Sequence, residues 1–387
     1  MTLVKLGLEN LLENKLSLLS GKKVGLITSP TGLNSKLCSG IDLLFRAGVK
    51  LTALFGPEHG VRGNAQAGET VSSGRDEKTN LPIYSLYGPT KKPTPEMLKD
   101  VDVLIFDMQD VGCRYYTFIY TMAYAQQAAY EYNKEFIVLD RPNPLGGVQV
   151  EGNLVHQGYT SFVGNYPLPN RYGLTLGELS CYLAEYLGVG QKPTVVKLSG
   201  WTRDMLFLDT KLLWVGPSPN IPTIDTAFVY PGTCLFEGTN LSEGRGTTCP
   251  FEIIGAPWLE GDKLADELNN LNLAGVIFRP VFFTPTFSKH ANTLCQGIQL
   301  HLTDYKAFEP LKTALYILSA VCKYPQTEFL CTKDRYFFDL LAGDPKIKTA
   351  LKAQAPVLEL WEQINSENEI FLKQRESILL YPRKEIL

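Results

Sequence analysis

The chain is predicted to be an α/β protein, with a Rossmann-like doubly wound parallel sheet in its N-terminal domain and a smaller α+β C-terminal domain. Three observations predict this. Short apolar runs alternate with helix-compatible segments through the first half, each run ends in a polar Gly- or Pro-marked loop, and the second half loses that alternation. With 387 residues, 44% of them hydrophobic, the chain suits two domains rather than one.

Lys23 to Thr28 reads as a buried strand, followed by the Ser29-Pro30-Thr31-Gly32 loop and an amphipathic run from Ile41 to Ala47. Leu51 to Phe55, Val103 to Asp107 and Phe136 to Asp140 repeat the strand pattern, and Tyr115 to Tyr132 is helix-compatible between the last two. The strands run into SPTG, GPEHGVRG, DMQDVGCRYY and DRPNPLGG. In an open parallel sheet such loops gather at the carboxyl edge, where ligands bind. The first of them is not GxGxxG, and no GxxxxGK[ST] occurs, so a nucleotide cofactor is not implied and none is expected.

Thr175 to Leu187 reads as a helix with Thr175 as N-cap and Glu178 completing a capping box. Gly188 to Pro193 reads as a linker, which divides the chain into 1–190 and 191–387. Beyond it, Pro217 to Leu259 concentrates Pro, Gly, Asn, Glu, Arg and aromatic residues with little periodicity, as a built site or tightly folded loop does. Helical segments are predicted at Gly261–Leu271, Ala307–Tyr324 and Lys346–Ile364, and strands at Val276–Arg279 and Ile298–Leu302.

Composition excludes several classes. Lys plus Arg total 37 against 40 Asp plus Glu, so no strong field draws nucleic acid or an anionic membrane. No apolar run approaches the roughly 20 residues of a membrane span, and Glu9, Glu13 and Lys15 interrupt the early leucines, so no export signal is read and a cytoplasmic protein is expected. The eight cysteines are widely spaced without a CxxC pair, which fits reduced, packed thiols. The four histidines form no HxxxH-type pair, so no metal site is expected.

The densest candidate for chemistry is Gly56-Pro57-Glu58-His59-Gly60. Pro57 and the flanking glycines constrain the loop that presents Glu58 at the strand's carboxyl edge, and adjacent His59 is placed to relay or tune its proton. Asp107 and Asp110 on the next loop, Asp140 and Asn143 on the following one, and Glu237, Asn240, Glu243 and Arg245 in the second half complete the polar candidates. Ion pairing within loops is the competing reading for Glu243 with Arg245, and for Arg114 near Asp110.

The motifs GPEHGVRG, AGE, LPIYSLYG, DRPNPLGG, SFVG, WVGPSPNIPT, YPGTCLFEGTNLSEGRGTTCPFEIIGAPW and FRPVFFTPTFSKH resemble, in order and spacing, the NamZ-type exo-β-N-acetylmuramidases, glycoside hydrolase family 171. The resemblance spans nearly the whole chain. It implies an active site between the two domains that releases N-acetylmuramic acid from non-reducing ends of peptidoglycan fragments, with Glu58 as the leading catalytic residue. It also departs in three places: Arg171-Tyr172-Gly173 stands where the family often has RHG, Lys211 to Val215 differs from the common GLPWV, and the family's usual secretion signal is not seen.

Glycoside hydrolysis needs a proton donor and a second group that attacks the sugar or activates water, unless the substrate's own acetamido oxygen does so. Glu58 suits the donor, and Asp107, Asp110, Asp140, Glu237 and Glu243 remain open for the second role. The lactyl carboxylate of N-acetylmuramic acid calls for a guanidinium, from Arg62, Arg114, Arg171 or Arg245. Tyr115, Tyr116 and Tyr172 are candidates to stack on the sugar, and His290 to line the cleft. The alternatives are a non-catalytic muropeptide-binding protein using the same cleft and an NAD-dependent enzyme. Oligomeric state has no signal in the sequence.

Overall fold

The computed structural model describes residues 3–58, 60–62, 74–332 and 335–384. Its first unit is built on β1 (Val24–Thr28), β2 (Leu51–Gly56), β3 (Gly74–Arg75), β4 (Pro82–Ser85), β5 (Val103–Asp107), β6 (Glu135–Leu139) and β7 (Thr194–Val196), in the spatial order β3-β4-β2-β1-β5-β6-β7. All neighbours are parallel except β3 with β4. The four strands read from the sequence are all present. Every residue of β1 and β5 is buried, because both strands are flanked on two sides and covered on two faces. One covering layer packs Leu8, Leu11, Ile41 and Leu44 under Leu26 and Ile105, and the opposite layer contains the helix Phe118–Glu131.

The chain runs outward from β1 to β4 and then returns to β5 on the other side. This reversal opens a crevice beyond the carboxyl ends of the central strands, which is where their loops collect.

The second unit carries the helix Ile224–Thr233, an antiparallel sheet of β8 (Ile253–Ala256), β9 (Val276–Phe283) and β10 (Cys295–Leu302) in the order β8-β10-β9, and the helices Gly261–Asn269 and Pro310–Val321. The helix expected over Lys346–Ile364 is two, Pro345–Lys352 and Val357–Ser366, because Pro356 cannot donate within a continuous helix. The capping box at Thr175 and Glu178 is formed.

The boundary expected near Gly188–Pro193 falls inside the first unit, since β7 lies beyond it and pairs with β6. Three residues of edge strand gave too short a pattern to read. The units also share one apolar core, continuous from Phe55 and Phe106 through Tyr115 to Tyr230, Phe236 and Phe338.

Two polar devices lock the units together. The buried Arg114 guanidinium donates to the carbonyls of Asn153 (2.5 Å), Leu168 (3.0 Å), Leu341 (2.9 Å) and Ala342 (2.6 Å). Near the chain's end, Tyr381 donates from its hydroxyl to Asp140 at 2.5 Å and stands edge-on to Trp201, while Leu380 N–H donates to Glu178.

Candidate active site

β2 delivers its loop to the crevice. Gly60 N–H closes a turn onto the Pro57 carbonyl at 3.0 Å, and Gly60 has φ +76°, a conformation that favours glycine. A Cβ on Gly56 would lie 3.2 Å from Gly60 Cα, so the loop doubles back tightly on its own strand. Glu58 stands at the turn, half-buried. Thr117 Oγ1 donates to Glu58 Oε2 at 3.0 Å, from the residue that begins the helix Phe118–Glu131. Tyr87, in the loop after β4, also hydrogen-bonds Glu58. Its phenol is pushed up to about 12 by burial first, then by the charge of Glu58 and that hydrogen bond.

A cleft of about 360 Å³ opens beside Glu58. Tyr115, Tyr116 and Thr117 form its wall from the first unit, and Ser218, Asn220, Ile221, Tyr230, Arg245 and Phe251 close it from the second half of the chain. Arg245 directs two nitrogens at Glu237 Oε1, at 3.0 and 2.5 Å, while its guanidinium lies 4.9 Å from the Phe251 ring centroid. Its Nε is also 3.4 Å from Glu243. Lys289 then pairs with the other Glu243 oxygen at 2.8 Å, completing a quartet of two acids and two bases. Burial raises the Glu237 carboxyl above the ordinary range, with Arg245 opposing. The pairing of Glu243 with Arg245 inside the loop is therefore present, and the same arginine also faces the cleft.

Glu58, Tyr115, Tyr116 and Arg245 thus meet in one cleft, with Glu237 and Glu243 directly behind Arg245. Asp110 is buried, accepting on Oδ2 from Gly112 N–H at 2.8 Å and from the Tyr172 hydroxyl, and is not among the residues lining the cleft. The remaining candidates are not brought there, and each has an identifiable reason. Asp107 is buried in an ion pair with Arg141, at 2.7 Å. Asp140 accepts from Thr175 Oγ1, Gly177 N–H and Tyr381, so it holds a helix start and the chain's end. Asn143 spans Leu145 N–H and the Leu174 carbonyl. Arg114 is consumed by its four carbonyls, and Arg171 by Glu151 (2.8 Å) and the Leu145 carbonyl. Arg62 pairs with Asp76 and Asp42. Tyr172 is wholly buried, so it cannot stack on a sugar. Asn240 bridges the Gln326 carbonyl and Glu328 N–H, and His290 hydrogen-bonds the Asn240 carbonyl at 2.7 Å. His59 and the Ala67-Gly68-Glu69 motif lie outside the described residues.

Sequence reasoning missed Tyr87, Asn220 and Tyr230. All three lie in motifs quoted above, and an aromatic or amide within a Gly- and Pro-dense stretch was the available signal. Among the described residues, His156, Asp344 and Glu367 are the group with spacing suited to a metal ion. They satisfy one another instead, His156 Nε2 lying 3.0 Å from Glu367, and they sit away from the cleft residues.

A carboxylate at the carboxyl edge of a doubly wound sheet, sharing a cleft with an arginine held by acids of a second unit, is an arrangement of the α/β enzyme class. The chain belongs to the NamZ exo-β-N-acetylmuramidase family: residues 24–225 match the family's N-terminal domain and residues 228–381 its C-terminal domain. It is 51% identical over 381 residues to the peptidoglycan β-N-acetylmuramidase NamZ of Bacillus subtilis (strain 168), covering 98% of this chain and 91% of that one. Two crystal structures of DUF1343 family proteins from Bacteroides fragilis NCTC 9343 share the fold. BF0371 is 42% identical with a TM-score of 0.89, covering 98% of this chain and 99% of its own. BF0379 is 29% identical with a TM-score of 0.78, covering 99% and 100%.

Proposed function

We propose that the Glu58 cleft removes N-acetylmuramic acid from the non-reducing end of peptidoglycan-derived fragments, in cell-wall turnover or muropeptide recycling. The chain is a glycosidase of the exo-acting muramidase class, as its family and its 51% identity to the B. subtilis enzyme support. The single observation that carries the site assignment is the setting of Glu58. It is an acid on a rigid turn, hydrogen-bonded by Thr117 and Tyr87, at the wall of a cleft with an arginine on the far side. In this reading Glu58 gives its proton to the glycosidic oxygen. The direct test is release of free N-acetylmuramic acid from a MurNAc-GlcNAc disaccharide. Turnover is expected, and a folded protein that binds the disaccharide without cleaving it would overturn the assignment.

Arg245 is the proposed reader of the lactyl carboxylate, because of the four arginines it is the one that lines the cleft beside Glu58. Arg245→Lys keeps a positive charge against Glu237 but loses the planar fork. The expected result is a KM for muramic-acid ends raised about tenfold, equivalent to about 1.4 kcal/mol. Comparison with a substrate ending in N-acetylglucosamine checks it, since an unchanged preference between the two sugars would exclude Arg245 from that role.

We also read the protein as acting in a reducing compartment on internal or imported fragments. Cys38, Cys113, Cys181, Cys234, Cys249, Cys295 and Cys322 carry free thiols, which supports that reading. No helix among the described residues is long and apolar enough to cross a membrane.

A further inference from the structure

A second hollow opens at the carboxyl edge of the sheet, at the reversal between β1 and β5, and is lined by the loops that follow β1, β5 and β6. It encloses about 390 Å³ including its open mouth, of which about 30 Å³ is available to atom centres, so it takes a group of a few heavy atoms and not a sugar ring.

Its floor is polar. Gln109 and Arg141 both line it, and they are only 6% and 5% exposed. Gln109 Nε2 donates to the carbonyls of Asp110 and Pro142, each at 2.9 Å, which fixes the amide and turns Oε1 to the other side. Arg141 directs Nε to Asp107 Oδ1 at 2.7 Å and Nη2 to the Leu33 carbonyl at 2.8 Å, which leaves the Nη1 corner of the guanidinium. Gln109 Oε1 and Arg141 Nη1 make no hydrogen bond among the described residues, and neither is sealed from solvent. The Gln109 amide touches the residue next to Arg141, so one acceptor and one donor stand close together at the bottom of a small space. Polar atoms so placed call for a partner that enters the hollow.

The walls are apolar. Leu33, Phe207 and Val215 stand around the floor, and Leu37 and Leu213, 48% and 63% exposed, form the rim. Leu213 lies in the Lys211–Val215 segment that differs from the family's common GLPWV.

This pairing selects a neutral amide. The Arg141 charge is already met by Asp107, and a carboxylate set on Arg141 would turn a lone pair toward the Gln109 carbonyl oxygen. An ammonium would face the guanidinium. An acetamido group matches both atoms: its C=O accepts from Arg141 Nη1, its N–H donates to Gln109 Oε1, and its methyl lies against the apolar wall.

We propose that this hollow is a subsite for the acetamido group of an N-acetylhexosamine, whose ring rests on the rim at Leu37 and Leu213. Val215 lines the hollow and Ser218, three residues on, lines the Glu58 cleft, so their Cα atoms lie within about 11 Å. Gln109 and Tyr115 make the same link along the loop after β5. An exo-acting enzyme has no sugar beyond the one it releases, which puts this unit on the leaving-group side. That place in the reaction rests on the glycosidase reading, but binding of the amide does not.

Two measurements test the subsite. With ¹³C-methyl labels on leucine, valine and isoleucine, N-acetylglucosamine is expected to shift the Leu33, Leu213 and Val215 resonances, and glucosamine to leave them in place. Ile221, in the Glu58 cleft, reports binding there separately. Leu213→Trp narrows the mouth at an exposed position and is expected to weaken the N-acetylglucosamine titration about tenfold. Resonances unmoved by N-acetylglucosamine, or moved equally by glucosamine, overturn the subsite whether or not the protein cleaves a glycan. In turnover, MurNAc-GlcNAc is expected to be cleaved with kcat/KM about tenfold above its counterpart ending in glucosamine, the difference lying in KM and disappearing in Leu213→Trp. Equal kcat/KM for the two substrates removes the hollow from the reaction. Absence of turnover in the wild type, with the methyl shifts intact, would instead reject the glycosidase reading and retain the amide site.

Discussion

Glu58→Gln is expected to lower kcat by about 10²–10⁴-fold, the usual worth of a positioned proton-transfer group, while leaving substrate binding nearly intact. The asymmetry comes from the surroundings of the side chain. Thr117 Oγ1 donates to Glu58 Oε2, and an amide oxygen in the same place accepts that bond equally well. The turn closed by Gly60 and Pro57 uses backbone atoms only, so the substitution does not disturb it. What is lost is the ionisable carboxyl proton. Disaccharide hydrolysis followed by release of N-acetylmuramic acid, with calorimetric binding of the intact disaccharide as control, measures both halves. A variant that cleaves at the wild-type rate would remove Glu58 from the chemistry and direct attention to Glu237.

Arg114→Met should have the largest effect on stability of any single change outside the hydrophobic core. Four carbonyls from residues 153, 168, 341 and 342 converge on one guanidinium, and methionine supplies the volume without a donor. Each buried carbonyl left unmatched costs about 1–3 kcal/mol, so their sum approaches the whole net stability of about 5–15 kcal/mol typical of a folded domain. The expected outcome is an insoluble protein or a melting temperature lower by about 10 °C or more. Thermal unfolding followed by circular dichroism decides it. If Arg114 instead bound the substrate carboxylate, the variant would melt normally and show only a raised KM.

These two residues mark how far the sequence could be read. Glu58 was legible because its cues are local: an apolar run ends, glycine and proline follow, and an acid is left at the carboxyl edge of a strand. β1, β2, β5 and β6 were legible for a related reason, since strands covered on both faces need unbroken apolar runs. β4 begins with Pro82 and has three of its four residues only half-buried, so it carries no such run. Arg114 illustrates the opposite case. Its charge was visible, but two of its partners are carbonyls 227 and 228 residues away, and a carbonyl has no sequence signature. The same blindness made Arg171 and Arg62 look equivalent to Arg245. Tyr230 reaches the cleft only because the second unit's core is continuous with the first, a property of packing rather than of any local pattern.

The return of the chain's end to the first unit has a temporal meaning. Asp140 lies at the carboxyl end of β6, but one of its hydroxyl donors, Tyr381, is made 241 residues later. Leu341 and Ala342 reach Arg114 almost as late. The nascent sheet must therefore wait, with buried acids and a guanidinium only partly matched, until the segment through Tyr381 has been made. Competence to hydrolyse therefore waits on residues 341–381 rather than on completion of the strand that leads to Glu58, and a chain truncated before Ser377 is expected to yield little folded, active protein when its soluble fraction is compared with that of the longer chain.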